Sequence, residues 1–183
     1  MTTSSSKETE KFRELYDANR LDILKYLLRR SANTDEAADA LAETFLVAWR
    51  RIDLVPDGHE GRLWLYGVAR NVLFKQFKKK QHVTALNERL AVELRSVATT
   101  QGNDEVRGGV HNALSQLSKS DREIVELSAW EDLTPGEIAS VLGISANAAR
   151  VRLHRARHRL AGILMQPELK IPDIGREEAS RRS

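Results

Sequence analysis

An all-α fold is what the 183-residue sequence predicts: two small helical domains joined by a flexible linker, the C-terminal one a helix-turn-helix. Three observations predict it. Apolar residues recur at helical spacing through the first half of the chain, and no stretch alternates convincingly as a strand would. Residues 81–104 then lose that apolar pattern and gather Ser96, Thr99, Thr100, Gly102 and Asn103, after which helical spacing resumes. The expected boundaries are a domain over 8–82, a linker over 83–104, a second domain over 105–163 and a tail over 164–183.

Residues 1–7 are polar and expected to be disordered. Phe12, Tyr16, Ile23 and Leu27, with Leu15, Leu21, Leu24 and Leu28 beside them, then give a wide apolar face before Arg29 and Arg30 close the helix. Asn33 with Glu36 three residues on starts a second helix. Its Leu41, Phe45, Ala48 and Ile52 should line the core, while Glu36, Asp39, Glu43 and Arg50 face outward. Pro56, Asp57 and Gly58 mark residues 54–62 as a loop. A third helix is expected from about Leu63 to Lys80, with Leu65, Ala69, Val72, Leu73 and Phe77 inward and Trp64 packed into the core.

Past the connector, residues 105–117 and 121–130 suggest two more helices, the second opened by a Ser120, Glu123 capping box. Thr134, Pro135 and Glu137 form a stronger start signal: a hydroxyl acceptor, a proline suited to the first helical position, and a glutamate that completes the box. Ile138, Ala139 and Leu142 give that helix its buried side, Gly143 permits the left-handed turn that ends it, and Ser145 caps the next. In the last helix Ala149, Leu153, Ala156 and Leu160 share one stripe and seal it against the helix before. The tail carries Pro167, Pro172 and Gly175 and is expected to fray.

Hydrophobic residues make up 41% of the chain, enough for packed cores, and no apolar run approaches the length of a membrane span. Residues 1–11 lack the apolar segment of a signal peptide, so a cytoplasmic protein is expected. The absence of cysteine excludes disulfides, thiolate metal sites and cysteine nucleophiles. A net charge of +3 hides strong segregation. Residues 61–87 hold Arg62, Arg70, Lys75, Lys78, Lys79 and Lys80 without one acid. Residues 145–160 hold Arg150, Arg152, Arg155, Arg157 and Arg159 with His154 and His158, again without an acid.

A basic helix presented by a tight turn suits a DNA major groove, where guanidinium forks match guanine edges. Asn147, Arg150, Val151, His154, Arg155 and His158 fall on its outward side, and Arg152, Arg157 and Arg159 on flanks suited to phosphates. Two basic surfaces so far apart in sequence suggest two contacts with one polyanion. His154 and His158 stand one turn apart, but with no third ligand or neighbouring glutamate in view, no metal is expected. No cofactor motif is present either: phosphate-binding glycine loops and Ser/His/Asp patterns are absent, so the chain is not expected to be an enzyme.

Taken in order, these segments resemble the extracytoplasmic-function sigma factors, the small bacterial subunits that bring RNA polymerase to chosen promoters. Phe12-Arg13-Glu14-Leu15-Tyr16 is similar to the family's opening helix, residues 36–51 to its polymerase-binding helix, and Trp64-Leu65-Tyr66-Gly67-Val68-Ala69-Arg70-Asn71 to the helix that meets the minus-ten element. Asp121-Arg122-Glu123, Leu142-Gly143-Ile144-Ser145 and Arg150-Val151-Arg152-Leu153-His154-Arg155 resemble its C-terminal domain. The resemblance implies that Glu36, Asp39 and Glu43 dock on a coiled coil of core polymerase. It also implies that residues 54–62 with Asn71 hold a flipped-out promoter base, while Arg62, Arg70, Lys75, Lys78 and Lys79 complete the minus-ten contact. Asn147, Arg150, Val151, Arg152, His154 and Arg155 would meet the minus-thirty-five element. An anti-sigma protein is a common partner in the family, though no residue here names one. The family commonly has an acid and a glutamine where this chain has Ala38 and Ala42, a departure that bears on the polymerase contact.

Two rival readings come from outside this family. A one-component regulator with a helical sensor domain would bind duplex half-sites as a dimer, without polymerase. A nucleic-acid enzyme would need a catalytic constellation that the motifs do not supply.

Overall fold

The computed structural model describes residues 2–91 and 108–165. Among them the secondary structure is helical: α1 (Thr2–Leu28), α2 (Thr34–Arg50), a short 3-10 turn (Ile52–Leu54), α3 (Gly58–Ala91), α4 (Gly108–Ser115), α5 (Lys119–Ala129), α6 (Pro135–Leu142) and α7 (Ala146–Leu164). The expected all-α class holds. Residues 92–107, which include most of the expected linker, and residues 166–183 of the expected tail lie outside the described residues.

α1 buries Ile23, Tyr26 and Leu27 completely and packs Phe12, Leu15 and Tyr16 partly against the core. Leu21 and Leu28 are exposed, so the apolar face is narrower than the composition of the helix suggests. The helix also reaches back to Thr2, across the residues expected to be disordered. α2 opens as anticipated, with Asn33 Oδ1 accepting from the Glu36 amide at 2.9 Å. It buries Ala37, Ala40, Thr44, Phe45 and Ala48. Aromatic rings weld it to α1: Tyr16 and Phe45 lie 4.7 Å apart and Phe12 and Trp49 5.1 Å apart, both pairs edge to face.

The loop before α3 is much shorter than expected. The 3-10 turn takes up Ile52–Leu54, and Gly58, at φ 61, already begins the helix, so the turn residues complete the bend within a few positions. α3 continues to Ala91 and so absorbs the first part of the expected linker. Of its expected inner stripe, Leu65, Ala69 and Val72 are buried and Leu73 is partly so, but Phe77 is 46% exposed. Trp64 packs partly buried against the core, as expected.

α5 starts at Lys119 with Ser118 as its cap, two residues before the expected one, and Ser118 Oγ accepts from the Asp121 amide at 3.2 Å. Glu123 forms no box with Ser120, because its carboxylate is engaged by Arg70 of α3 at 2.6 Å. The Thr134–Glu137 box is present in both directions, with Gly143 left-handed after α6 and Ser145 capping α7. Ala149, Leu153 and Ala156 are buried and Leu160 partly buried.

The two helical groups, α1–α3 and α4–α7, meet along α3 and α6. Gly67 of α3 lies at this contact, facing the Val141 carbonyl of α6. Ion pairs ring the contact. Arg29 Nη2 reaches both Glu131 oxygens at 2.7 Å, and Arg30 lies 3.2 Å from Glu131 and 3.0 Å from Glu126. Burial pushes the Glu126 carboxyl above its usual pKa, even with Arg30 beside it.

Candidate nucleic-acid interface

The Gly143 turn sets the direction of α7, and the Ala149, Leu153, Ala156 stripe sets its rotation, so that the remaining faces point to solvent. Asn147, Arg150, Val151, Arg152, His154 and Arg155 are all exposed. Among the described residues, Arg150, Arg152 and Arg155 have no acid holding them, whereas Arg157 and Arg159, equally exposed, have partners. Arg157 donates to Ser128 Oγ at 2.7 Å, and Arg159 pairs with Asp121 at 2.7 Å, both on α5. Of the three unengaged arginines, Arg150 and Arg155 lie on the outward side of the helix and Arg152 on a flank, while Arg157 and Arg159 fasten α7 to α5. Amides and guanidinia held on a rigid helix can read base edges.

On α3 the expected set divides. Asn71, Lys75, Lys78 and Lys79 are exposed. Arg70 is not free, since Glu123 binds it through Nε at 2.6 Å and Nη2 at 3.2 Å. Arg62 lies 3.4 Å from Asp22 of α1 and is half-buried along the Tyr66 ring. Held so, these two arginines offer a DNA phosphate only the N–H donors that their acids leave unused. Phe74 and Phe77, which sequence patterning did not mark for the surface, are exposed beside Lys78 and Lys119, whose ammonium groups sit 4.8 and 4.4 Å from the respective ring centres. Lysines next to open aromatic faces suit a single strand, where backbone and base are both accessible.

Asp39 and Glu43 of α2 are exposed, and Glu36 is partly so. Contrary to a clean separation of charge, they are not remote from the basic helix. Glu36 pairs with Lys80 of α3, and this contact holds its carboxyl below the usual range. Asp39, Ala42 and Glu43 form one wall of a groove of about 720 Å³, Lys75 and Lys79 stand on the other, and Leu46 and Val72 contribute apolar lining. The small Ala42 leaves that wall open. Charge blocks in the sequence could not show this, because the acids of α2 and the lysines of α3 become neighbours only when the two consecutive helices pack side by side.

The turn that carries α2 into α3 has a partner that sequence reasoning missed. His59 contacts the Glu137 carboxylate of the α6 capping box. Hydrogen bonds from the Thr134 side chain and amide, with His59 adding to them, bring the Glu137 pKa down to about 2. No periodicity signals such a contact; it depends on α3 lying against α6.

No group of three or more His, Asp or Glu side chains among the described residues is placed to hold a metal, and none of the described helices is long and apolar enough to cross a membrane.

Comparison with known proteins follows the same division of the chain. The Sigma-70 region 2 family matches residues 15–83, and the Sigma-70, region 4 family matches residues 107–160. The RNA polymerase sigma factor CarQ of Myxococcus xanthus is 30% identical over 161 residues, covering 87% of this chain and 92% of CarQ. The ECF RNA polymerase sigma factor SigL of Mycobacterium tuberculosis is 29% identical over 168 residues, covering 84% of this chain and 88% of SigL. Among solved structures, the sigma factor RpoE of Bartonella quintana, in complex with the anti-sigma factor NepR, shares the fold at a TM-score of 0.63 and 24% identity, over 84% of this chain and 96% of that one.

Proposed function

Since the chain belongs to the extracytoplasmic-function sigma factors of bacterial RNA polymerase, we propose which of its surfaces carry each step of promoter-specific initiation. The protein is an alternative sigma factor: it binds core polymerase and directs it to promoters through a minus-ten and a minus-thirty-five element. The exposed acids of α2, Asp39 and Glu43 with Glu36 behind them, dock on core polymerase. Asn147, Arg150, Val151, Arg152, His154 and Arg155 on α7 read the minus-thirty-five element in the major groove.

Asn71, Lys75, Lys78 and Lys79, joined by Arg62 and Arg70 through the donors their acids leave unused, bind the minus-ten region. Opening the duplex costs stacking energy, and trapping a flipped base offsets it. The residues at 54–62 and Asn71 form that trap, while the lysines follow the strand backbone. The polymerase performs the reaction, and this chain contributes recognition and strand opening. That reading puts its work in the cytoplasm, where transcription takes place. Because a relative of the same fold is held by an anti-sigma factor, such a protein is the regulatory partner this reading admits.

The observation that carries the reading is the outer face of α7, where three arginines and an asparagine stand exposed and, among the described residues, no acid pairs with those arginines. Run-off transcription with core polymerase over a promoter library tests it. The expected result is polymerase-dependent initiation at templates sharing two spaced elements. Sequence-specific binding to duplex sites without polymerase, and no selection of templates with it, would refute the reading.

A further inference from the structure

Lys11 belongs to none of the basic blocks of the sequence, yet it anchors the bend that leads into α3. Its Nζ donates to the Val55 carbonyl at 2.6 Å and pairs with Asp57 Oδ1 at 3.0 Å. One helical turn further along the same face of α1, Leu15 supports the next part of the bend. A Cβ on Gly61 would lie 3.4 Å from Leu15 Cδ1 and only 2.5 Å from the Pro56 carbonyl oxygen. The chain thus folds back on itself so tightly that only a residue without a side chain fits, and α1 is the template it folds against.

The base of this bend is fixed and its outer surface is open. Val55 is 2% exposed, whereas Leu54 is 71% exposed and the Asp57 side chain 89%. An ammonium suits the clamp because one group carries three donors, enough to satisfy a backbone carbonyl and a carboxylate together. The Asp57 pair lies in solvent and adds little by itself. The half-buried bond to the Val55 carbonyl is the part that fixes position.

We propose that Lys11 is a positioning residue for minus-ten recognition: it holds the bend at Val55 and Asp57 so that the exposed residues there meet an unpaired base in one orientation. This rests on the reading of residues 54–62 as part of the base trap. Discrimination between bases depends on where the contacting groups stand, while attraction to the strand backbone comes from the α3 lysines and tolerates displacement. Loss of the clamp should therefore reduce base preference without abolishing DNA binding.

The test uses holoenzyme reconstituted from core polymerase with the full chain, as wild type, Lys11→Met, Lys11→Arg, Lys11→Gln or Asn71→Ala, transcribing a library randomised across the minus-ten element. Lys11→Met should flatten preference at one or two minus-ten positions by about tenfold. Minus-thirty-five preference and affinity for core polymerase should stay as in wild type. Lys11→Arg, which keeps a cationic donor, should restore most of the preference, a rescue that a merely space-filling role would not produce. A wild-type profile for Lys11→Met, with Asn71→Ala flattened, overturns the inference and leaves the base-trap reading standing. Wild-type profiles for both overturn the two together. If circular dichroism shows that Lys11→Met does not fold, Lys11→Gln, which is polar but shorter and uncharged, decides: flattening at the same positions supports the clamp, and an unchanged profile overturns it.

Discussion

Arg150 and Arg155 owe their availability to what their neighbours do. Arg157 and Arg159 are drawn back onto α5 by Ser128 and Asp121, so the cations left on the outer face are those the helix can offer to bases. Replacing Arg150 or Arg155 by alanine should cost about 1 to 3 kcal/mol of promoter binding and relax preference in the minus-thirty-five element. Lys78 makes a useful contrast. It is exposed on α3 beside Phe74, and Lys78→Ala should weaken binding alike across sequences while lowering the salt slope by about one. Binding titrations of holoenzyme on a template series at several salt concentrations separate the two effects. An equal loss on every template for Arg150→Ala would remove it from base reading. The position of Arg150 was legible in the sequence because one helical period fixes both the buried stripe and its opposite face; the fate of Arg157 was not, because its partner lies 29 residues away.

At the scale of elements, α6 shows how far local signals reach. Thr134, Pro135, Glu137 and Gly143 specify its start and end through bonds made within a few residues, and each takes the expected place. α5 shows the opposite case. Ser120 and Glu123 have the spacing of a box, yet the cap falls to Ser118 because a cation on α3 claims Glu123. The depressed pKa of Glu137 makes the α6 cap measurable. Its folded value, about 2, lies below the usual 4.5, so its contribution is full above about pH 4.5 and is lost as pH falls toward 2. Glu137→Gln keeps an acceptor for the Thr134 amide but removes the charge at the helix start, and should lower stability by about 1 kcal/mol at neutral pH. In urea melts the gap between wild type and Glu137→Gln should stay level above pH 4.5 and close as acid protonates the wild-type carboxyl. A gap that widens on acidification would contradict the assignment.

Across the whole molecule, the two helical groups share one continuous core, and acids of the second meet cations of the first around it. Glu131 is the deepest of these acids: its side chain is 3% exposed and serves both Arg29 and Arg30. Neutralising one member of such a cluster strands the others, and Glu131→Gln should cost about 3 kcal/mol. Small-angle scattering should then show a larger radius of gyration, and denaturant melts should separate into two transitions. Unchanged scattering and a single, unshifted melt would show that the pairs do not hold the groups together. The sequence by itself determined that the elements are helices, the caps of α2, α6 and α7, most of the buried stripes and the exposed face of α7, because hydrogen bonds along one helix and side-chain periodicity are local properties. Only the tertiary structure decided which cations remain free: Arg70 is taken by Glu123, Arg62 by Asp22 and Lys80 by Glu36. A charge is neutralised by whatever packing brings within a few ångströms, and that distance is not written in the spacing of residues along the chain.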